Sequence, residues 1–203
     1  MGIELVFLIV SERWMHAFLV IGVMTATAVP VVVRKKSGMT IPSELQIMAI
    51  LFVFATLFLG EVRAYYERIW WWDLALHATA GLLLGLFGFL IVYILNDNDH
   101  VDLRMRPSFV TLFAFFFGVG IGALWEIFEF GMDQIFGFNM QKPMGADPSG
   151  LTDTMWDLIV DALGAATMSF IGWHNIKDVR RGRIDGWVRQ LIERNPQLFE
   201  RMR

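Results

Sequence analysis

The sequence contains no cysteine, and this absence excludes several kinds of site. Disulfide bonds, iron–sulfur clusters and thiolate-bound zinc all require cysteine sulfur. We also expect no cleavable signal peptide, because the first apolar run has no basic segment before it and contains Glu12, Arg13 and His16. Any metal that the protein binds is therefore expected to be held by carboxylate oxygen and imidazole nitrogen.

Apolar surface, in contrast, is abundant. Hydrophobic residues make up 56% of the 203 residues, with 18 Phe and 8 Trp, whereas soluble domains are usually about 45–50% apolar. A helix needs roughly 17–25 mostly apolar residues to cross a bilayer. Five runs meet that length, so the sequence predicts an all-α, polytopic integral membrane helical bundle. The predicted transmembrane helices are 13–33, 45–62, 71–95, 109–130 and 154–173.

Basic residues are unevenly distributed among the segments that connect these helices. Most of the 17 Lys and Arg lie in the connections 34–43 and 96–108 and in the tail 176–203, and the positive-inside rule places these segments in the cytoplasm. The predicted topology is N-terminus out and C-terminus in, in a bacterial cytoplasmic (inner) membrane. We divide the chain into a transmembrane domain, 1–175, and a basic amphipathic tail, 176–203. We expect the tail to form an interfacial helix on anionic lipid, with no nucleic-acid partner.

Three times in the chain a tryptophan is followed directly by a carboxylate, at the outer end of a predicted transmembrane helix. Tryptophan favours the membrane–water interface, whereas a carboxylate just inside that level is costly and is retained mostly for function. A second ionisable residue follows three or four positions later, on the same helix face. The groups are Trp72-Asp73 with His77, Trp125-Glu126 with Glu129, and Trp156-Asp157 with Asp161.

We expect these polar stripes to face one another and to form one acidic site. An aspartate at the centre of a spanning helix costs roughly 2.5–3.5 kcal/mol on insertion scales. Clustered carboxylates must therefore share protons, pair with Arg, or bind a cation. Too few basic residues lie on the outer side to pair them all, which favours a divalent metal ion (Mn, Fe, Zn or Mg) or shared protons. The predicted ligands are Asp73, His77, Glu126, Glu129, Asp133, Asp157 and Asp161, with Glu12, His16 and Asp153 as additional candidates.

The stretches around these residues resemble a known family. WWDLALH at 71–77, LWEIFEF at 124–130 and GLTDTMWDLIVD at 150–161 are similar to a YjdF-like family of small bacterial integral membrane proteins. That family is distantly similar to VanZ-like proteins, which share an Asp/His, Glu, Asp order. The resemblance covers most of residues 45–172. It implies a helical membrane fold and a single site formed by these residues, but no reaction, since the family has no established activity.

Three functions of different classes fit these features. The first is a metal-dependent enzyme that acts on a lipid or lipid-linked substrate, with Arg63, Arg68 or Lys142 binding a phosphate. The second is a proton- or cation-coupled transporter component, although no charged residue continues a path through 82–95 or 109–122. The third is a non-catalytic scaffold or accessory subunit that docks a membrane partner or forms a homo-oligomer.

A purely structural interpretation of the acidic residues accounts for part of the pattern. Helix capping and interface anchoring explain Asp73 and Asp153 near helix starts. They do not explain Glu126 and Glu129 near a helix end, or Asp161 two turns inside a helix. We attribute a set of glycines to close helix packing, namely Gly81, Gly85, Gly88, Gly118, Gly120 and Gly122.

Overall fold

The computed structural model describes residues 2–37, 43–97 and 105–179, and the regular structure among them is helical apart from one two-residue β-bridge. These residues form two compact units, 2–69 and 70–179, each described by itself. The first contains α1 (Gly2–Val10), α2 (Trp14–Ser37), α3 (Ser43–Val53), a π-helix (Phe54–Val62) and α4 (Tyr65–Arg68). The second, the three-helix unit, contains α5 (Trp72–Asp97), α6 (Pro107–Phe136) and α7 (Leu151–Val179).

Four helical segments among the described residues are long and apolar enough to cross a membrane. They are Ser43–Glu61, Trp72–Val92, Pro107–Phe136 and Leu151–His174. They confirm the last four predicted transmembrane helices and an all-α, multi-pass membrane fold.

Other parts of the predicted topology stay predictions. The first predicted transmembrane helix lies in α2, where the apolar stretch is the shorter His16–Thr25. These helices therefore do not test three parts of the prediction: a fifth transmembrane helix in α2, the orientation of the chain in the membrane, and the domain boundary at residue 175. The predicted interfacial helix lies outside the described residues beyond Val179.

Helix boundaries differ from the prediction in α6 and in the first unit. Helix α6 ends at Phe136 rather than at 130, because its chain reverses only at Gly137. Gly137 adopts a left-handed backbone (φ 65°) and its N–H donates to the Asp133 carbonyl at 3.0 Å, as glycine does at helix C-termini. The π-helix that follows α3 was not predicted, since an all-apolar run has the same pattern in either helix type.

Small residues allow α5, α6 and α7 to pack closely. A methyl group at Gly85 would lie 3.2 Å from the Ala165 Cα, and one at Gly88 would lie 3.0 Å from the Ala114 Cα. Backbones approach this closely only where one helix has no side chain. The packing prediction is confirmed at five of the six glycines but is wrong at Gly120, where nothing lies within 4 Å of an added methyl group.

The end of the three-helix unit formed by the last turns of α5 and the first turns of α6 is apolar. Its buried cluster contains Phe89, Val92, Val110 and Ala114, and Met105 packs against it. We call this the apolar end, and we call the opposite end, where α5 and α7 start and α6 finishes, the polar end. On its outer side α6 exposes large apolar residues, as expected of a lipid-facing surface, namely Leu112, Phe116, Leu124 and Ile127.

Candidate metal centre

The polar end of the three-helix unit collects most of the predicted site residues. Trp125 and Trp156 are 40% and 49% exposed, whereas the residues that follow them, Glu126 and Asp157, are 4% and 1% exposed. Successive side chains on an α-helix are about 100° apart, so each tryptophan points outward while its acidic neighbour is buried between helices. In these two pairs an outward aromatic residue therefore adjoins an inward carboxylate, whereas Trp72 and Asp73 of the third pair are both half-buried.

His77, in the second turn of α5, is the centre of the contacts at this end. Its Nδ1 lies 3.3 Å from Oδ2 of Asp161 on α7. Its Nε2 lies 3.7 Å from Oε1 of Glu126 on α6 and 3.8 Å from Oδ1 of Asp73, one turn earlier on α5. In the tautomer that carries the proton on Nδ1, His77 donates to Asp161 and presents the Nε2 lone pair to Glu126 and Asp73. One imidazole thus joins residues of all three helices.

Five carboxylate oxygens at the polar end are buried without a hydrogen-bond partner among the described residues. They are both oxygens of Glu126, both oxygens of Asp157, and Oδ1 of Asp161. Polar groups buried in folded proteins are nearly always hydrogen-bonded, and an uncompensated buried charge costs on the order of several kcal/mol. Apart from the Thr154 hydroxyl beside Glu126, the described side chains offer these oxygens no donor, so they need a cationic or proton-donating partner.

Two groups of three residues at this end have the spacing that a single cation requires. The first, which we call the His triad, consists of His77, Glu126 and Asp157; the second, the Asp triad, consists of Asp73, Asp153 and Asp157. Within each triad, one potential ligand atom per residue lies within 4.8 Å of the other two. Metal–ligand bonds of about 2.0–2.2 Å place neighbouring ligand atoms about 3–4 Å apart, so small side-chain movements would bring either triad to coordination distance.

Glycines make room for this cluster of carboxylates. A methyl group at Gly122 of α6 would overlap the Asp161 carboxylate, and one at Gly81 of α5 would overlap the Asp161 backbone carbonyl oxygen. Sequence reasoning attributed both glycines to helix packing alone and so missed the contact of Gly122 with a site carboxylate. The helical repeat could have separated the two glycines, because Gly122 lies four residues before Glu126 on the same face of α6, whereas Gly120 lies on another face, where an added methyl group would meet nothing.

Glu129 lies about one turn from Glu126 on α6 and belongs to neither triad. Its Oε1 accepts a hydrogen bond of 2.9 Å from Trp125 Nε1, and its side chain is buried. The electrostatic influence of His77 and Asp73 reaches this carboxylate. Glu129 is therefore a carboxylate beside the triads whose position is fixed by its own hydrogen-bond donor.

Two of the predicted ligands accept hydrogen bonds from the loop 137–150 and so connect it to α6 and α7. Asp133, in the last turns of α6, accepts hydrogen bonds from the backbone N–H groups of Met140 at 2.8 Å and Gln141 at 3.0 Å. Asp153, in the first turn of α7, accepts one from the backbone N–H of Lys142 at 2.7 Å. Asp133 thus holds the loop and belongs to neither triad, whereas Asp153 contacts the loop and belongs to the Asp triad.

Asp147 determines where α7 begins. Its Oδ1 accepts hydrogen bonds from the backbone N–H and hydroxyl of Ser149, and its Oδ2 accepts them from the same two groups of Thr152. These hydrogen bonds stabilise the carboxylate and hold the pKa of Asp147 well below its usual value. Since Asp157 lies six residues after the helix start at Leu151, this turn also sets its depth, about 9 Å along α7.

The remaining predicted site residues lie elsewhere in the described structure. Glu12 and His16 belong to the first unit, where both side chains are exposed, and Arg63 and Arg68 are exposed there as well. Lys142 lies in the loop of the three-helix unit, where its backbone contacts Asp153. A role for the first pair as metal ligands, and for the three basic residues in binding a phosphate, stays a prediction.

Comparisons with known proteins identify relatives of this chain. A family model described as "Predicted membrane protein (DUF2238)" matches residues 1–178. A protein of Thermotoga maritima named "Uncharacterized protein" is 35% identical over 143 residues, which cover 70% of this chain and 68% of the relative. No solved structure matches the chain. The expected resemblance to a membrane-protein family without an established activity is confirmed, and the chain belongs to the DUF2238 family of predicted membrane proteins.

Proposed function

We propose that the three-helix unit binds divalent metal at its polar end and acts on a lipid or lipid-linked substrate from the extracytoplasmic side. The observation that supports the metal most directly is the set of five buried, unpartnered oxygens on Glu126, Asp157 and Asp161. A bound cation would satisfy such oxygens. Imidazole with carboxylates suits Mn²⁺, Fe²⁺ or Zn²⁺, and carboxylates alone suit Mg²⁺ or Mn²⁺.

His77 by itself is a poor match for the negative charge around it. Even a protonated imidazole would contribute a single positive charge, and its Nδ1 already faces Asp161. In many metal sites a carboxylate accepts the proton of one imidazole nitrogen while the other nitrogen binds the metal. The geometry fits this arrangement, because Asp161 faces His77 Nδ1 and would orient the ring so that Nε2, which lies near Glu126 and Asp73, could bind a cation. The carboxylates that surround His77 are Asp73, Glu126, Glu129, Asp153, Asp157 and Asp161.

In the chemistry that we propose, the cation and two nearby carboxylates have different roles. A divalent cation held by the triad residues would supply a Lewis acid that polarises a substrate oxygen and lowers the pKa of bound water. Glu129, held by the Trp125 indole N–H, is placed to accept a proton. Asp153 connects the Asp triad to the loop 137–150 through Lys142, so that loop is the segment that would respond to an occupied site.

The depth of the site supports a lipid as the substrate. His77 lies five residues and Asp157 six residues inside the starts of their helices, about 8 and 9 Å at 1.5 Å per residue. In spanning helices of 21 and 24 residues, about 32 and 36 Å long, these depths fall in the outer third, nearer to one membrane face than to the bilayer centre. Trp125 and Trp156 are exposed beside the site, and tryptophan favours the membrane–water interface.

The packing beyond Asp161 disfavours the transporter hypothesis. Ala165, one turn further along α7, is fully buried, and the small residues Gly85 and Gly118 approach it closely. Ser169, another turn on, is buried but uncharged. An ion that left Asp161 in this direction would meet closely packed small residues instead of the polar ligands that line ion pathways. We therefore prefer the enzyme hypothesis.

The metal proposal is tested by elemental analysis of detergent-purified wild type, Glu126→Gln and Glu67→Gln after incubation with Mn²⁺ and removal of free ions. Glu67 is an exposed carboxylate of the first unit and belongs to neither triad, so it provides a matched control. We expect wild type and the control to retain metal and Glu126→Gln to bind it at least about tenfold more weakly. No metal in the wild type, or equal affinity in all three proteins, would contradict the proposal.

The lipid proposal needs a separate measurement. Wild type and Glu129→Gln are placed in nanodiscs of bacterial polar lipid extract with Mn²⁺, and the lipids are compared by mass spectrometry before and after incubation. We expect one lipid class to change with the wild type and to remain unchanged with Glu129→Gln, which retains both triads. An unchanged lipid profile in a metal-loaded wild type would contradict the enzyme hypothesis and favour a structural metal.

A further inference from the structure

Asp157 is the residue that the His triad and the Asp triad share. Both of its oxygens are buried and unpartnered, and the side chain is only 1% exposed. A carboxylate that served a single cation through one oxygen would leave the other oxygen without a partner. We propose that the site holds two divalent cations, one in each triad, and that the Asp157 carboxylate bridges them with its two oxygens. This inference rests on the proposed metal site and adds a second cation to it.

The two triads lie at different depths along the helices. Asp73 and Asp153 are in the first turns of α5 and α7, whereas His77 and Asp157 follow them by four residues, one turn deeper. Asp157 is thus placed between an outer position, completed by Asp73 and Asp153, and an inner position, completed by His77 and Glu126. A side chain with two free oxygens at the boundary between two ligand sets is the arrangement that a bridging carboxylate requires.

The balance of charge also favours two cations over one. Six carboxylates belong to the two triads or lie next to them, namely Asp73, Glu126, Glu129, Asp153, Asp157 and Asp161. One divalent cation would offset two of these charges, and two would offset four. Of the remaining pair, Asp161 faces the His77 imidazole at 3.3 Å and Glu129 accepts a hydrogen bond from Trp125. Two divalent cations therefore match the charge of the four carboxylates in the triads.

The ligand sets predict that the two positions differ in metal preference and in the rate at which their cations exchange. The inner position has an imidazole nitrogen and two carboxylates and is enclosed by buried residues. The outer position has three carboxylates, and its Asp73 side chain is 19% exposed. Imidazole favours transition metals, whereas an all-oxygen site also accepts Mg²⁺. We therefore expect the outer cation to exchange faster and to be displaced by Mg²⁺, while the inner cation is retained.

The test uses Mn²⁺ as the probe, because both ligand sets accept it. Metal-free protein in detergent is titrated with Mn²⁺, and bound ions per chain are counted by elemental analysis and by electron paramagnetic resonance. We expect two ions in the wild type with a spin-coupled signal, and one ion with an uncoupled six-line signal in Asp73→Asn and in Asp153→Asn. His77→Gln should likewise retain one Mn²⁺ ion. Asp157→Asn should bind no Mn²⁺ ion tightly at either position, and the control Glu67→Gln should bind two ions.

The outcomes separate this inference from the metal proposal. One ion in the wild type, unchanged in Asp73→Asn and Asp153→Asn, would overturn the second cation and leave the metal site intact. No bound ion in the wild type would overturn both. The number of Mn²⁺ ions bound by the wild type distinguishes one cation from two without any variant. Thermal unfolding and size-exclusion chromatography show whether a substituted protein has misfolded, and its result is then set aside.

Discussion

The two ends of the three-helix unit are formed by the same helices but bury different kinds of side chain, apolar at one end and acidic at the other. At the apolar end, Phe89, Val92 and Val110 are buried against one another and no charge has to be accommodated in the cluster. At the polar end, the equivalent space between helices is filled by Asp157, Asp161 and their neighbours, and both oxygens of Asp157 and one of Asp161 have no hydrogen-bond partner among the described residues. The same architecture therefore gives a closed core at one end and an incomplete polar site at the other.

Glycine shows most clearly how the two ends differ. Gly88 allows a backbone approach, because an added methyl group would lie 3.0 Å from the Ala114 Cα. Gly122 instead makes space for the Asp161 carboxylate, which a methyl group would overlap. Close packing at the polar end thus serves to hold charged side chains in place. Substitutions that fill the two kinds of space should have separable effects on stability and on metal binding.

The largest expected effect is on stability, at Gly81. A methyl group there overlaps the Asp161 backbone carbonyl, so α5 and α7 must separate. We expect Gly81→Ala to destabilise the protein by about 1–3 kcal/mol or more. Gly120→Ala, whose methyl group meets nothing, should be neutral or stabilising by about 0.5–1 kcal/mol. Thermal unfolding in detergent measures both, and equal effects of the two substitutions would contradict this description of the packing.

The next largest effect is on Mn²⁺ affinity, and it should differ between a glycine of the polar end and a glycine of the apolar end. Gly122→Ala should displace the Asp161 carboxylate from His77 and weaken Mn²⁺ binding about 10–100-fold, as loss of an orienting carboxylate typically does. Gly88→Ala should lower the melting temperature without changing the Mn²⁺ affinity, because its contacts are with Ala114 and Phe117. Mn²⁺ titrations monitored by calorimetry make the comparison. Similar affinities for the two variants would show that Gly122 has no specific role at the site.

A smaller effect is expected at Ser169. Its hydroxyl is buried without a hydrogen-bond partner among the described residues, so Ser169→Ala removes an unsatisfied group and should leave stability unchanged or raise it by up to about 1 kcal/mol. Metal content should not change, in contrast to Asp157→Asn, which removes a charge shared by both triads. Loss of metal in Ser169→Ala would mean that the polar site extends further along α7 than the triads do.

The smallest effect concerns the turn before α7. Because the pKa of Asp147 is lower in the folded protein than in the unfolded chain, its contribution to stability is present above the unfolded pKa of about 4 and is lost as pH falls through the folded pKa. The difference in melting temperature between wild type and Asp147→Asn should therefore narrow as pH falls below about 4. A difference independent of pH between 7 and 3 would exclude this electrostatic contribution.

Sequence reasoning was sufficient for four spanning helices and for many of the polar residues that meet at one end of the three-helix unit. Hydrophobic run length located four spanning segments, and the pairing of an interfacial tryptophan with an acidic residue located Glu126 and Asp157. These properties depend on local composition and on the helical repeat. The meeting of His77 with Asp161 and Glu126 also follows from expecting polar stripes to face one another.

Other features depend on contacts between helices, which one sequence does not reveal. The spacing to Glu126 places Gly122, and not Gly120, on the buried face of α6, but only the structure shows that Gly122 faces the Asp161 carboxylate of α7. Asp133 has the position of a ligand on α6, but because the helix continues to Phe136, its oxygens bind the amides of the following loop. The division into two triads that share Asp157 likewise depends on distances between α5, α6 and α7.

The most direct test of the metal centre is pulsed electron paramagnetic resonance of the protein loaded with Mn²⁺, which detects a nitrogen nucleus bound to the metal. We predict modulation from one imidazole nitrogen in the wild type, lost in His77→Gln and retained in the control Glu67→Gln. Bound Mn²⁺ without nitrogen modulation, or modulation that survives in His77→Gln, would contradict the assignment of the buried His77, Glu126 and Asp157 cluster as a metal site.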